Sequence, residues 1–219
     1  MHSSIKNYED IVKSIKSKLE GQKLNKFPKI IAVTKTFTLE NILPLIQYGH
    51  LDYGENKVQE AIEKWTETKN KNPEIQLHLI GRLQTNKVKF AIKIFDYIHS
   101  VDSAKLAKKI YDEQINQNKK VKIFIQVNIG SEEQKSGVTI DETEDLLNYC
   151  KELKLDVIGL MCIPPINQKS DKYFEKMNSL KNNLNLQEVS MGMSSDYLEA
   201  VTNETTYLRI GSSIFGKRY

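Results

Sequence analysis

Eight short apolar runs alternate with helical patterns along this 219-residue chain, and that alternation limits its fold more than any other feature. Strands are predicted at 30–34, 51–54, 76–80, 97–101, 121–128, 156–161, 188–191 and 207–210. Apolar residues at three- and four-residue spacing mark the helices between them. A leading helix carries Ile5, Tyr8, Ile11, Val12, Ile15 and Leu19, with Gly21 suited to its end. Further helices open at Thr38, near Lys57, at about Asn86, after the Ser103 cap, around Leu146, near Ser170 and near Ser194. A last one starts at Ser212. Regular alternation of this kind implies parallel strands. Eight such units in this length suggest a closed (β/α)₈ barrel of the TIM type with an extra N-terminal helix. An open doubly wound sheet is the alternative. No repeat, linker or composition break divides the chain, so residues 1–219 are read as one domain.

Composition removes several function classes. The net charge is +4, with basic and acidic residues interspersed, which is not a nucleic-acid signature. Cys150 and Cys162 are the only cysteines and suggest reduced thiols, not a disulfide framework. No apolar run approaches a membrane span, and the N-terminal residues lack the apolar stretch of a signal peptide. A cytoplasmic protein is expected, with no membrane or nucleic-acid partner and no metal site.

In barrels of this kind the chemistry sits at the C-terminal ends of the strands, and the unusual residues fall there. Along the first strand Ile31, Val33 and Lys35 share a face. A lysine ending a core-facing row loses hydration of its ammonium, a cost tolerated when the amine works neutral toward carbonyls. Lys35 is therefore a Schiff-base candidate; the alternative is a strand-end lysine reaching out to water. Glu55 and Asn56 end the second strand, Gly81 and Arg82 the third, Asn128 the fifth, and Met161 the sixth. Ser194 and Ser195 follow the seventh strand, and Gly211, Ser212 and Ser213 follow the eighth. Loops after those two strands commonly bind phosphate through helix-start amides and hydroxyls. Arg209 points inward if Ile210 points outward, and needs an anionic or lone-pair partner. That partner is either a glutamate such as Glu55, in a structural ion pair, or a pyridine nitrogen. A Schiff-base lysine, a phosphate cup and an inward arginine together specify pyridoxal 5′-phosphate. His78 reads as a core histidine, and Met161, Met191 and Met193 as packing or ring contacts.

With these residues assembled, the sequence resembles the pyridoxal-phosphate homeostasis protein family. The likeness runs from about Lys29 to Arg218 and rests on Ala32-Val33-Thr34-Lys35, Gly54-Glu55-Asn56, the run from His78 to Lys87, Lys135-Ser136-Gly137, the run from Ser190 to Asp196, and Arg209-Ile210-Gly211-Ser212-Ser213. It implies a fold like the N-terminal barrel of alanine racemase and an internal aldimine at Lys35. It further implies phosphate contacts from Ser194, Ser195, Gly211 and Ser212, Arg209 facing the pyridine nitrogen, and Asn56 and Met161 lining the cofactor. Members often carry a second lysine just after the Schiff-base lysine, whereas Phe37 and Thr38 stand here.

The expected role is that of a carrier that holds, buffers and delivers the cofactor to apo-enzymes that use it, with no catalytic residue assigned. The competing reading is an amino-acid racemase. Racemisation needs a proton-transfer group on each face of the carbanion. Lys35 serves one face; a single lysine, with no second acid–base group and no extra β-domain expected after Gly216, disfavours racemisation. Arginine at the ring nitrogen also weakens the electron sink. A Schiff-base aldolase is a more distant reading, disfavoured because the lysine ends the first strand. A monomer is expected, since no exposed apolar stripe demands a partner.

Overall fold

The computed structural model describes residues 2–216. Its eight parallel strands are β1 (Lys29–Val33), β2 (Asp52–Glu55), β3 (Gln76–Leu79), β4 (Tyr97–Val101), β5 (Lys122–Val127), β6 (Asp156–Cys162), β7 (Glu188–Met193) and β8 (Tyr207–Ile210). They pair in sequence order, and β8 pairs back onto β1 through Ile31 opposite Arg209, which closes the barrel. That closure excludes the doubly wound sheet.

Helices alternate with the strands: α1 (Ser3–Gln22), α2 (Leu39–Gln47), α3 (Val58–Lys71), α4 (Val88–Ile94), α5 (Ala104–Gln117), α6 (Thr143–Glu152), α7 (Asp171–Asn183), α8 (Tyr197–Thr202) and α9 (Ser212–Phe215). The leading helix α1 packs on α8 and α9, and Asn7 Nδ2 donates to the Ile214 carbonyl at 2.9 Å.

The strand period of two divides the core. Ile30, Ala32, Ile98, Ile123, Ile125, Leu160, Val189, Leu208 and Ile210 face outward into the apolar layer under the helices. Ile31, Tyr97, Phe124, Met161 and Tyr207 pack with one another inside the barrel. Such filled layers make the barrel a packed core rather than a pore.

Several boundaries differ from the sequence pattern for local reasons. Gly21 lies inside the last turn of α1, which ends instead at Lys23 in the left-handed region (φ 54°), its N–H bonded to the Glu20 and Leu19 carbonyls. The fourth helix begins with a tight 3₁₀ turn, Thr85–Lys87. No helix starts at Ser194. The chain turns there, with Met193 N–H donating to Asp196 Oδ1 at 2.6 Å, and α8 begins at Tyr197.

Among the described residues no helix is long and apolar enough to cross a membrane, and no group of three or more His, Cys, Asp or Glu side chains is placed to hold a metal ion. Met1 and Arg218, at the ends of the expected domain and family match, lie outside the described residues.

Candidate functional site

A cavity of about 590 Å³ opens at the C-terminal mouth of the barrel. Its size falls within the range of small-molecule sites. Lys35, Asn56, Ser194, Ser195, Arg209, Gly211 and Ser212 all line it.

Lys35 follows β1 in a turn held from behind by α3. Thr34 Oγ1 donates to Glu55 Oε1 at 2.6 Å, and the Thr34 carbonyl accepts from Lys64 Nζ at 2.8 Å. The Thr36 N–H donates to Glu60 Oε1 at 2.6 Å. Thr36 sits in the left-handed region (φ 68°), a conformation that costs a β-branched residue energy and persists only where its surroundings impose it. The residues on either side of Lys35 are thus fixed, while Lys35 itself is half-buried at the cavity edge.

Glu55 is fully buried, but it points away from the cavity. Its Oε1 also accepts from Lys64 Nζ and Trp65 Nε1, both at 2.9 Å. It therefore belongs to the β1–β2–α3 clamp, and the ion pair with Arg209 considered from sequence does not form.

Asn56 reaches the cavity because the next strand passes close by. A Cβ at Gly81 would lie 2.3 Å from the Asn56 carbonyl oxygen, so only glycine fits there.

Arg209 faces inward as its alternation with Ile210 requires. It is 4% exposed, with one terminal N–H donating to Ser190 Oγ and the other terminal nitrogen to the Cys162 carbonyl, both at 2.7 Å. A guanidinium carries five N–H donors, so donors remain to meet a lone pair in the cavity. Burial lowers its pKa from the usual value, yet an arginine stays protonated at any ordinary pH.

Across the mouth, the Gly211 and Ser213 N–H groups converge on Ser194 Oγ, each at 3.3 Å. Two adjacent chain turns thereby present amides and hydroxyls at one spot, which is the chemistry of an anion cup.

One expected residue lies elsewhere. Met161 is fully buried in the interior layer below and does not line the cavity; Ile163, two residues on and on the same face, does. The structure also brings to the cavity residues that the sequence reading did not assign to the site. Gln126 and Asn128 line the cavity from β5 and its end, with Lys135 and Ser136 from the following loop. That loop folds back onto β5: the Asn128 N–H bonds the Val138 carbonyl at 2.8 Å, and Gln126 Nε2 the Ser136 carbonyl at 3.0 Å. Gly137 (φ 121°) makes the fold-back possible, since a Cβ there would come 2.6 Å from the Asn128 nitrogen. Lys135 Nζ bonds the Pro164 carbonyl at 2.9 Å and pairs with Glu132. The cavity lining thus contains a second lysine, which corrects the expectation of one.

His78 is fully buried, as a core histidine should be, but it is not alone. Its Nδ1 lies 3.0 Å from His99 Nε2 and its Nε2 lies 3.0 Å from Asp52 Oδ1. His99 Nδ1 in turn lies 3.0 Å from Ser190 Oγ. Desolvation lowers the pKa of both imidazoles, that of His99 strongly.

Comparison with known proteins adds an independent line. Residues 12–219 match the family described as alanine racemase, N-terminal domain. A pyridoxal phosphate homeostasis protein of Aquifex aeolicus is 37% identical over 200 residues, covering 87% of each chain. One from Vibrio alginolyticus is 35% identical and covers 100% of this chain and 99% of its own. Among solved structures, PipY of Synechococcus elongatus with PLP bound superposes with a TM-score of 0.81 at 30% identity, over 92% of this chain and 100% of that one.

Proposed function

We propose that this chain, which belongs to the pyridoxal phosphate homeostasis proteins of the alanine racemase N-terminal domain family, holds pyridoxal 5′-phosphate in the mouth of its barrel and buffers or delivers it with little or no turnover. The observation that carries the reading is the meeting of Lys35, Arg209 and the Ser194–Gly211–Ser213 turn around one cavity. When bound, this cofactor supplies an aldehyde that a lysine amine captures reversibly. The protein's own residues do the rest. Lys35 presents its amine from a turn clamped on both sides. Ser194, Ser195, Gly211 and Ser212 hold the phosphate. Arg209 donates to the ring nitrogen, and Asn56 and Ile163 close the sides.

Holding is favoured over turnover by the character of Arg209. A permanently protonated guanidinium donates a hydrogen bond to a pyridine nitrogen without giving up its proton. The ring then gains little of the positive charge that amino-acid chemistry draws on. We take residues 1–219 as a single domain, monomeric and cytoplasmic, with apo-enzymes that use the cofactor as recipients.

The test is the visible absorption of the purified protein beside Lys35→Ala, before and after borohydride. The expected result is a visible band in the wild type alone, and after reduction a cofactor mass on the peptide containing Lys35. A wild type that stays colourless with added pyridoxal phosphate would overturn the reading. Lys35-dependent racemisation of alanine would replace the carrier with a catalyst.

A further inference from the structure

The interior of the barrel holds a continuous row of polar groups that the binding role does not itself require. It starts at Asp52, where β2 begins, passes through His78 on β3 and His99 on β4, and crosses to Ser190 on β7 and Arg209 on β8. The successive separations are 3.0, 3.0, 3.0 and 2.7 Å. Flat partners fix both imidazoles. His78 stacks on Tyr97 at 4.2 Å and 14°, and His99 on Phe124 at 4.2 Å and 19°.

The two ends decide which way every hydrogen points. Arginine only donates, so its N–H goes to Ser190 Oγ. An ionised carboxylate only accepts, so His78 must carry its proton on Nε2. Its Nδ1 then accepts from His99 Nε2–H, and His99 Nδ1 accepts the Ser190 hydroxyl proton. Each link is satisfied once, with both histidines neutral. Desolvation of the buried rings, which lowers both imidazole pKa values, favours the same state. Lys29 Nζ, 3.4 Å from Asp52 Oδ1, favours the ionised carboxylate at the far end. Linked hydrogen bonds polarise one another in a dry interior. Ser190 is therefore a better acceptor for Arg209 when its own proton is committed to His99.

We propose that Asp52, His78, His99 and Ser190 are positioning residues for Arg209: a one-way hydrogen-bond chain that fixes the guanidinium in the orientation that meets the cofactor's ring nitrogen. This rests on the binding reading given above. Asp52 lines no part of the cavity and acts only through the chain. Loss of the carboxylate frees His78 to take the opposite tautomer, which turns His99 Nδ1–H toward Ser190. The Ser190 hydroxyl proton then needs a new acceptor next to Arg209, and the guanidinium loses its fixed seat.

Two measurements test this. The first is ¹⁵N NMR of the histidine rings in the cofactor-free protein at neutral pH. The expected result is a slowly exchanging Nε2–H on both His78 and His99, with neither Nδ1 protonated. An Nδ1–H on His99, or a charged ring, overturns the chain whether or not the protein binds the cofactor. The second is the visible spectrum and affinity of protein loaded with pyridoxal phosphate, for Asp52→Ala, Asp52→Asn and Ser190→Ala. Ser190→Ala, which removes the partner bonded directly to Arg209, is expected to shift the band and weaken binding about tenfold, the size usual for partners one bond removed from a ligand. Asp52→Ala, at the far end of the chain, is expected to move both in the same direction. Asp52→Asn keeps an acceptor for His78 and is expected to restore the wild-type band. A folded Asp52→Ala or Ser190→Ala with wild-type band and affinity would reduce the chain to a structural role and overturn the proposal. A wild type that binds no cofactor refutes the binding reading instead and leaves the ring-proton result standing.

Discussion

Replacing Glu55 with glutamine tests whether the clamp behind Lys35 is ionic. Glu55 Oε1 accepts from Thr34 Oγ1 at 2.6 Å, Lys64 Nζ at 2.9 Å and Trp65 Nε1 at 2.9 Å, with the carboxylate fully buried. Glutamine keeps the size and one oxygen but removes the charge. A hydrogen bond to a charged group contributes about 1.5–3 kcal/mol, against about 0.5–1.5 kcal/mol for a neutral one. The Thr34 and Trp65 bonds each weaken by about 1 kcal/mol, and the Lys64 ammonium keeps a hydrogen bond but loses its ion pair, about 1 kcal/mol more, for a total loss of about 3 kcal/mol. Lys64 still has Glu60 Oε1 at 3.0 Å, so the larger loss of a stranded buried charge is avoided. For a domain of this size each kcal/mol moves Tm by roughly 2–4 °C, which gives a fall of about 6–12 °C. Differential scanning calorimetry reads the shift, and urea unfolding checks the free energy. Borohydride trapping should fall in parallel, because the Thr34 anchor on the Lys35 turn loosens. A fall of less than about 2 °C would refute the ionic clamp, since it leaves less than about 1 kcal/mol for all three bonds.

Gly81→Ala drives a Cβ to within 2.3 Å of the Asn56 carbonyl, so the backbone must shift. It should cost on the order of 1–3 kcal/mol in urea unfolding and lower cofactor loading as Asn56 moves. Ser194→Ala removes the acceptor for the Gly211 and Ser213 amides; titration should show weaker binding of pyridoxal phosphate, with that of phosphate-free pyridoxal nearly unchanged. Burial pushes the Cys150 and Cys162 thiols up to about 12, so a neutral thiol reagent should label neither until the protein is unfolded. His78 and His99 titrate below their ordinary value when folded, so the unfolded chain binds more protons as pH falls below about 6.5. Their contribution is full above that pH and is lost toward the folded values, by up to about 1.4 kcal/mol per pH unit for each ring; calorimetry from pH 7 to pH 4 should show the decline, and His99→Phe should flatten it.

The barrel was legible because its signal is local and repeated. Each strand announces itself by composition, and regular alternation leaves few topologies. Lys35, Arg209 and the turns after β7 and β8 were legible for a related reason, since a barrel collects strand ends at one rim. Residues whose placement depends on non-local geometry were harder to read. Met161 and Ile163 lie on the same face of one chain segment, and only the height of that strand within the closed barrel decides that Ile163 meets the cavity. Lys135 enters because a glycine-dependent loop doubles back onto β5, which no periodicity reveals. Glu55 and Arg209 stand at the ends of their strands in sequence, but the pleat turns one carboxylate outward to α3 and the guanidinium inward. His78 looked solitary because its partners are 26 residues back at Asp52 and 21 residues on at His99.

The placement of charge through the barrel bears on why such a site retains its ligand rather than transforming it. A catalyst needs groups whose protons move during the reaction, with pKa values near the working pH. Here the inward-facing titratable groups are held away from that condition. Arg209 remains protonated, the two histidines are kept neutral by burial, and each of their nitrogens is committed to a neighbour. Asp52 stays below the ordinary carboxylate range despite its desolvation, through the hydrogen bond it accepts from His78 and the charge of Lys29. Lys35 and Lys135 stand instead on the rim, where both border the open mouth. A rigid floor under an accessible amine suits capture and release of an aldehyde, since neither step requires a proton from below.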